Sequence, residues 1–371
     1  MGNANTKPDA DVQAPSTTTT SLASINDTPL LVHVPLHLDG DTHDAAEMTR
    51  LAEDVCVALR AKVAGYEDIT TNELVLTHLT GAMTNVIFTC HKKSAPEDKV
   101  LLRLYGAGTE AFFSRQEEIL VFKELSLLNL GIGLVGEFHN GRFERMIDGR
   151  TATAADIRVP DFSEKIAKRM ALFHTTQVDI DRQPRILRSI RKFYKDACAA
   201  YATSERKFDM ETMARDIEAL EELVATVDSP VVFCHNDLQY GNIMVTDDND
   251  AVLIDFEYSH YNPRGYDLGN HFSEWCYNYH GDSPHWGDFA KYPTVAEQRT
   301  YCAAYLGENA TDDKIDALRR EANVYANATH LFWSLWGFIQ ATQSTIDFDY
   351  FGYATCRWEA FTSRVSLQES P

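Results

Sequence analysis

A short β-hairpin pattern in the second half of the chain carries polar side chains at its open end. The apolar segments Ile243–Val245 and Val252–Ile254 are separated by a polar turn, which predicts two antiparallel strands. Asn242 precedes the first strand and Asp255 follows the second, so we expect these two residues to lie side by side. Asp237 belongs to the loop that enters this end of the hairpin. The pattern therefore brings together two carboxylates and an amide oxygen, which suit a hard cation such as Mg²⁺.

The spacing of these residues also matches that of phosphoryl-transfer enzymes. In such enzymes a loop His-x-Asp-x-x-x-x-Asn supplies a base and a metal ligand, and a later Asp-Phe supplies the main Mg²⁺ ligand. His235, Asp237 and Asn242 have the first spacing, and Phe256 follows Asp255. We predict that Asp237, Asn242 and Asp255 are catalytic, with Asn242 and Asp255 as metal ligands. Their alternative roles are a turn residue, a cap and a strand-end acceptor. His235 is expected to hold the backbone of the loop rather than to move protons.

Protein and nucleic-acid substrates are both disfavoured by the sequence. Position 236 is Asn where many protein kinases carry Arg, and no Ala-Pro-Glu sequence follows Asp255. The 34 Lys and Arg residues are outnumbered by 55 Asp and Glu residues, which gives a net charge of −21. A surface of this charge repels nucleic-acid phosphates and anionic lipid, and it fits a cationic substrate.

The residue patterns change character near residue 145. Before it, apolar residues at helical spacing from Glu47 to Val63 predict a helix, three strand-like segments follow, and residues 115–128 predict a second helix. After it helices dominate, and one of them is predicted to begin at a capping box of Asp161 and Glu164. A length of 371 residues suggests two domains or one two-lobed unit. We therefore predict an α+β chain with a disordered tail (1–28), a small sheet-rich N-terminal lobe (29–144), a hinge (145–151) and a larger helical C-terminal lobe (152–371).

The N-terminal segment and the cysteines bear on the location of the protein. The first six residues fit the pattern for myristoylation of Gly2, and a disordered start that matches by chance is the alternative. One acyl chain binds membranes only marginally and needs a second signal, so we expect no stable membrane anchoring. The seven cysteines are scattered singly and odd in number, which indicates a reduced, cytoplasmic protein without a disulfide framework.

Four segments around the hairpin resemble the choline/ethanolamine kinases, namely Asp237–Asn242, Ile254–Tyr258, Tyr261–Pro263 and Tyr266–Trp275. The resemblance extends over nearly the whole chain outside the tail. The Asn-His-Phe-x-Glu stretch is specific to that family, whereas the Asp/Asn loop is shared with protein kinases and aminoglycoside phosphotransferases. The resemblance implies a two-lobed, protein-kinase-like fold that binds ATP in its cleft and phosphorylates choline, the first step of the CDP-choline route to phosphatidylcholine. Family members are often homodimers, so a homodimer is a further expectation.

The resemblance also implies a nucleotide site. Arg103 takes the strand position at which protein kinases use Lys, and a basic residue among apolar strand residues is costly unless it is paired. Glu118, on the following helix, is its expected partner. Ala82 replaces one of the paired glycines of the family's phosphate loop, and the hinge is expected to meet adenine. The other expected nucleotide contacts are Gly81, Met83, Thr84 and Asn85 of the phosphate loop, Arg145 and Ile147 of the hinge, and Gln239 of the catalytic loop.

The C-terminal stretch is dense in aromatic residues. Trp333 and Trp336 are three residues apart on a predicted helix and share a face, and so do Tyr350 and Tyr353. The alternative to a binding role is a packed core. A quaternary ammonium has no N–H donor and is held by ring faces and charge, which are worth about 0.5–2 kcal/mol per ring. The resemblance implies a choline cage made of Glu274, Tyr279, Trp333, Trp336, Tyr350 and Tyr353.

Four other functions remain open from the sequence. Ethanolamine has three N–H donors and is better served by carboxylates and carbonyls than by rings, so the full aromatic set favours choline over ethanolamine; a dual choline/ethanolamine kinase is also possible. An aminoglycoside phosphotransferase would need an acidic, polar rim in place of the aromatic residues. A pseudokinase scaffold predicts the loss of a metal ligand or of the base, but Asp237, Asn242 and Asp255 are all present.

Overall fold

The structure is a computed structural model that describes residues 45–79, 85–105, 115–364 and 367. The tail, with Gly2, and the phosphate-loop positions 81–84 lie outside the described residues, so the predictions made for them stay predictions. Among the described helices, none combines the length and the apolar character needed to cross a bilayer.

The first part of the described chain is an antiparallel sheet with two helices. The strands are β1 (Leu74–Leu79), β2 (Asn85–Lys92), β3 (Ala95–Tyr105), β4 (Leu134–Phe138) and β5 (Gly141–Arg145). Their order in the sheet is β1-β2-β3-β5-β4, and every neighbouring pair is antiparallel. Helix α1 (Ala45–Lys62) precedes the sheet, and α2 (Arg115–Leu127) connects β3 to β4. The two helices and three strands predicted in this region are therefore confirmed.

The two helices pack into different hydrophobic cores. Val55 and Leu59, one turn apart on α1, are buried together with Leu102 and Leu104, which alternate along β3 and point to one face of the sheet. The apolar side of α2 instead joins a second, larger core formed with the helical part of the chain. Helix α2 therefore connects the sheet to the rest of the molecule.

Most of the remaining described chain is helical, with α3 (Pro160–His174), α4 (Ile186–Tyr201), α5 (Met210–Val224), α6 (Arg264–Glu274), α7 (Val295–Leu306), α8 (Asp312–Gln343) and α9 (Tyr350–Thr362). Helix α8 is the longest of these and packs against α4, α6 and α9. A sheet with few helices followed by a mostly helical region is the α+β architecture that the sequence predicts.

Helix α3 begins differently from the prediction. Its first residue is Pro160, and the preceding Val159 makes no side-chain capping hydrogen bond. Asp161 and Glu164 lie inside the helix, so the predicted capping box is wrong. Proline suits the first helical position because its φ angle is fixed near the helical value and its missing N–H would have no partner there.

Two small sheets flank the loop of residues 235–242, which contains Asp237 and which we call the catalytic loop after its predicted role. Strands β6 (Gly149–Thr151), β8 (Ile243–Thr246) and β9 (Ala251–Leu253) form one of them, and β7 (Val231–Cys234) pairs with β10 (His260–Pro263) in the other. The first and last residues of the β8–β9 hairpin are opposite each other, which confirms the predicted hairpin and its open end.

Candidate functional site

The loop between β7 and β8 is tied to helix α6 through a buried carboxylate. Asp267 accepts hydrogen bonds from the backbone N–H groups of His235 and Asn236, each at 2.7 Å. Nε2 of His174 lies 2.9 Å from the same carboxylate. Burial alone would raise the pKa of Asp267, but the hydrogen bonds and nearby imidazoles hold it below its ordinary value. A charged Asp267 therefore fixes the start of the catalytic loop.

Two residues near this loop have left-handed backbone conformations. Asn236 has a φ of 68° and Asp255 a φ of 65°. Asparagine tolerates this conformation better than most residues, and its side chain donates to the carbonyl of Tyr258 at 2.8 Å and accepts from Nδ2 of Asn262 at 2.8 Å. These contacts give a structural role to the Asn that stands where many protein kinases carry Arg. The left-handed backbone at Asp255 is the kind of strain that clusters at functional sites.

His235 holds the backbone, as the sequence predicts. Its Nδ1 accepts from the N–H of Asp237 at 3.3 Å, and its Nε2 donates to the carbonyl of Ile254 at 2.9 Å. Burial lowers the pKa of His235, which keeps the ring neutral at physiological pH. The imidazole therefore connects the loop of Asp237 to the end of the strand that leads to Asp255.

The three predicted catalytic residues meet at the open end of the hairpin. Nδ2 of Asn242 donates to Oδ2 of Asp237 at 2.9 Å and to the backbone carbonyl of Asp237 at 2.8 Å. The backbone N–H of Ile254 donates to the carbonyl of Asn242 at 3.0 Å. Asp255 is the next residue, so the hairpin brings its carboxylate to the same end as Asn242.

Asp237 lies among several other carboxylates. Burial raises the pKa of Asp237 well above its ordinary value, and the nearby charges of Glu274, Asp255 and Glu257 raise it further. A strongly shifted pKa caused by burial and by specific charged neighbours is typical of functional sites. This group of carboxylates would attract cations.

Arg103, the predicted phosphate contact, belongs to a buried network of charges. Its Nε donates to Oε1 of Glu144 at 2.7 Å. Nε of Arg142 donates to the same oxygen at 2.7 Å, and its Nη1 donates to Glu118 at 3.1 Å. The predicted pairing of Arg103 with Glu118 is therefore wrong: Arg103 pairs with Glu144, and Arg142 contacts Glu118.

The strand register explains this difference. Arg103 of β3 is directly opposite Arg142 of β5, and Glu144 lies two residues along β5, on the same face of the sheet. Burial opposes the charge of Arg103, but Glu144 and the nearby Asp255 raise the pKa of its guanidinium above the ordinary value. Arg103 thus lies close enough to Asp255 for the two charges to interact.

The other predicted nucleotide contacts occupy several places in the structure. Asn85 is the first residue of β2. Arg145 is exposed at the end of β5, and the half-buried Ile147 lies between β5 and β6. Gln239 accepts from the N–H of Gly241 at 2.6 Å, and its Nε2 lies 3.3 Å from the amide oxygen of Asn242. Gln239 therefore contacts one of the three predicted catalytic residues directly.

The predicted aromatic residues form one group, which we call the aromatic cluster: Trp333, Trp336, Tyr350 and Tyr353. The ring centroids of Trp333 and Trp336 are 5.5 Å apart, and Trp336 lies 5.6 Å from Tyr350 and 6.3 Å from Tyr353. The ring of Tyr258, on the segment after the hairpin, lies 5.3 Å from Trp333. The aromatic cluster therefore adjoins the candidate catalytic residues.

Glu274 and Tyr279 join the aromatic cluster to the catalytic loop. The hydroxyl of Tyr279 donates to Oε2 of Glu274 at 2.8 Å. Tyr240, on the catalytic loop, stacks on Tyr279 at 5.9 Å and accepts from its backbone N–H at 2.7 Å. On its other side Tyr279 stacks on Tyr277 at 5.8 Å, and Tyr277 lies 5.7 Å from Tyr353. Hydrogen bonds and ring contacts thus connect all six residues of the predicted cage.

The Asn-His-Phe-x-Glu stretch of α6 explains how the loop and the cluster are held together. Oδ1 of Asn270 accepts from Nε1 of Trp333 at 2.8 Å, which fixes the orientation of the indole. His271 Nδ1 lies 2.9 Å from the carbonyl of Leu238 on the catalytic loop. With Glu274 at its end, one helix therefore orients both the catalytic loop and the aromatic residues.

Sequence reasoning missed several buried charged residues that support the site, namely Arg142, Glu144, His174, Asp267 and Arg357. His174, Asp267 and Arg357 each adjoin apolar or aromatic residues, whereas Arg142 and Glu144 flank Phe143 in the polar segment 140–145. Burying a charged group is unfavourable unless it is paired, so a charged residue next to apolar residues was the available signal of a buried pair.

Comparison with known proteins gives a consistent family. The family model described as choline/ethanolamine kinase matches residues 76–362. A probable choline kinase of Arabidopsis thaliana is 38% identical over 322 residues, which cover 84% of this chain and 92% of the relative. A choline/ethanolamine kinase of Homo sapiens is 34% identical over 314 residues, which cover 78% of this chain and 80% of the relative.

The fold has solved counterparts as well. A choline kinase from Cryptosporidium parvum superposes with a TM-score of 0.75 at 22% sequence identity, covering 84% of this chain and 94% of the other. At this identity the likeness concerns the fold, and it agrees with the two-lobed, kinase-like architecture that the sequence predicts.

Proposed function

The chain belongs to the choline/ethanolamine kinase family, and on this premise we propose that it transfers the γ-phosphoryl group of ATP to the hydroxyl group of choline. One observation carries the proposal: the carboxylate group around Asp237 adjoins the aromatic cluster through Tyr258 and Tyr279. Carboxylates attract the charge of a quaternary ammonium, and ring faces bind it without needing an N–H donor.

Asn242 and Asp255 are the proposed ligands of Mg²⁺. Amide and carboxylate oxygens are the donors that this ion prefers, and the raised pKa of Asp237, caused by burial and by neighbouring carboxylates, indicates that a cation would be favourable here. When bound, Mg²⁺ would supply positive charge that offsets the negative charge developing on the transferred phosphoryl group. The amide oxygen of Asn242 contacts Gln239, which therefore would orient it.

Asp237 is the proposed general base. It would accept the proton of the choline hydroxyl while the oxygen forms a bond to the γ-phosphorus and the bond to the leaving ADP oxygen breaks. Asn242 donates to Oδ2 of Asp237, which leaves Oδ1 for the substrate hydroxyl. The neutral His235 holds the backbone of the loop during this step.

Arg103 is the proposed contact to the ATP phosphates. It interacts electrostatically with Asp255, a proposed metal ligand, which supports a role for Arg103 in binding the phosphates. Glu144 holds the guanidinium of Arg103 in place by accepting its hydrogen bond. Arg142 donates to Glu144 as well as to Glu118 of α2, and so connects the strand to the helix. The phosphate loop at 81–84, the hinge residues Arg145 and Ile147, and a homodimer remain proposals from the sequence.

A substrate panel tests the proposed function. Purified protein with ATP and MgCl₂ is offered choline, ethanolamine and the two intermediate methylated amines, and phosphorylated product is measured by mass spectrometry. We expect the highest kcat/KM for choline and a loss of activity on chelation of Mg²⁺. Absence of transfer to every amine would overturn the proposal.

Two further results would change the substrate that we propose. The human relative's name includes both amines, so a dual activity is the nearest alternative, and a tenfold or larger preference for ethanolamine would reverse our order. Transfer to kanamycin but not to choline would instead identify an aminoglycoside phosphotransferase.

A further inference from the structure

A buried arginine that the sequence did not reveal is paired with the carboxylate of the proposed amine pocket. Arg357 of α9 is 0% exposed and Glu274 at the end of α6 is 1% exposed. Nη2 of Arg357 donates to Oε1 of Glu274 in a salt bridge. The other carboxylate oxygen, Oε2, accepts from the hydroxyl of Tyr279 at 2.8 Å. Each oxygen of Glu274 therefore already has a donor from the protein.

The guanidinium of Arg357 is held firmly in this position. Its Nε donates to the hydroxyl of Tyr353 at 3.0 Å, and its carbon centre lies 4.0 Å from the ring centroid of Tyr277. Burial opposes its charge, but Glu274 and the surrounding phenols raise its pKa well above the ordinary value. Arg357 therefore stays charged and cannot move away without leaving Glu274 unpaired.

This pairing affects choline and ethanolamine differently. Both carry one positive charge, so neutralising Glu274 weakens its long-range attraction for the two amines alike. Ethanolamine also brings three N–H donors, which need acceptors once they are removed from water. Choline has no such donor and binds to ring faces. A carboxylate whose oxygens are already engaged therefore disadvantages the primary amine more than the quaternary one.

We propose that Arg357 is a specificity-determining positioning residue, which engages Glu274 and so makes the pocket select a quaternary ammonium over a primary one. The proposal rests on the proposed function and names its preferred substrate class. Arg357 acts through Glu274 and Tyr279, and it does not itself contact the amine.

The test is the ratio of kcat/KM for choline to kcat/KM for ethanolamine, because a ratio does not depend on the fraction of folded enzyme. In Arg357→Met the carboxylate loses its internal cation and becomes available to N–H donors. We expect the ratio to fall about tenfold or more, since one hydrogen bond to a charged group is of this size. Arg357→Lys keeps a positive charge and should restore most of the preference for choline.

Arg264→Met is the matched control. Arg264 is the first residue of α6 and Glu274 the last. Arg264 forms an ion pair with Glu321 of α8 at 2.6 Å, which is less buried than the pair of Arg357 and Glu274. This variant breaks an arginine–glutamate pair of the same helix at the end away from the pocket. We expect its amine ratio to stay within about twofold of the parent, as distant sites rarely couple.

A milder variant covers the case in which Arg357→Met does not fold. Tyr279→Phe removes only the hydroxyl that donates to Oε2 of Glu274, and it should lower the ratio in the same direction by a smaller factor. Choline turnover with an unchanged ratio in every folded variant would overturn the role of Arg357 and leave the proposed function standing. A parent protein that prefers ethanolamine would overturn it too. A parent that phosphorylates neither amine would instead refute the proposed function and, with it, this inference.

Discussion

The two sides of the candidate site handle buried charge in different ways. On the nucleotide side, two arginines and two glutamates form one network in which Oε1 of Glu144 accepts from both Arg103 and Arg142 at 2.7 Å. On the other side, Asp237 is surrounded by carboxylates, and burial together with those neighbours raises its pKa. The first group is balanced by charges of the protein. In the second, Glu274 is paired with Arg357, but the raised pKa of Asp237 indicates that a further cation would stabilise its carboxylate. We infer that the network supports the fold and that the carboxylate group serves the chemistry.

The largest effect that would test this contrast is the loss of the proposed base. Asp237→Asn keeps the shape of the side chain but cannot accept a proton, so kcat should fall by about 10²–10⁴. ATP binding should be unchanged, as measured by titration calorimetry. Asp68→Asn, at an exposed position, is the control for the change in net charge and should have normal kcat. Near-normal turnover of Asp237→Asn would falsify the assignment.

The same variant also has an expected effect on stability, with a sign set by the pKa. Because burial and nearby carboxylates raise the pKa of Asp237 in the folded protein, the folded state keeps this proton to a higher pH than the unfolded chain does. From about pH 4, the ordinary pKa of an aspartate, up to the raised pKa, the folded state binds more protons than the unfolded chain. The free energy of unfolding therefore falls as the pH rises through this window. Without added nucleotide or metal, Asp237→Asn should therefore melt at a higher temperature than the parent at pH 7–8, and this gain should disappear near pH 4.

On the nucleotide side we expect that removing a carboxylate lowers the stability of the protein. Glu144→Gln removes the buried carboxylate that Arg103 and Arg142 share. Breaking a buried ion pair from one side typically costs about 3–5 kcal/mol of unfolding free energy. Urea denaturation followed by tryptophan fluorescence and circular dichroism measures this loss. Glu137→Gln is the control, because its ion pair with Lys123 is partly exposed to solvent and should be worth less than about 1 kcal/mol. Equal losses in the two variants would contradict the view that the network supports the fold.

The same contrast explains what the sequence could predict. The hairpin that carries Asn242 and Asp255 is local, so a polar turn between two apolar segments was enough to bring these residues together. The partner of Arg103 depends on the register between β3 and β5, which are separated in sequence by α2 and β4. The local pattern indicated that Arg103 needs a partner, but it offered no means of choosing Glu144 over Glu118.

On the amine side, too, local patterns did not reveal a contact between residues that are far apart in sequence. The spacing of tryptophans and tyrosines indicated the aromatic cluster, and the family resemblance added Glu274. Arg357 was missed because its contact with Glu274 joins the middle of α9 to the end of α6, and these two helices are far apart in sequence. Its only local signal was a lone arginine on the buried side of an aromatic-rich helix, one turn after Tyr353.

The smallest expected effect separates the two arginines of the nucleotide side. Arg103→Met removes the proposed phosphate contact while Glu144 keeps Arg142 as a partner, so the KM for ATP should rise about tenfold or more with little change in thermal stability. Arg142→Met is the matched comparison: it removes a donor from both Glu118 and Glu144, so it should lower the stability more and the affinity for ATP less. The measurements are steady-state kinetics with varied ATP and a melting curve for each variant. If Arg142→Met raised the KM for ATP as much as Arg103→Met at unchanged stability, the division between a phosphate-binding arginine and a supporting one would be wrong, and the network as a whole would belong to the nucleotide site.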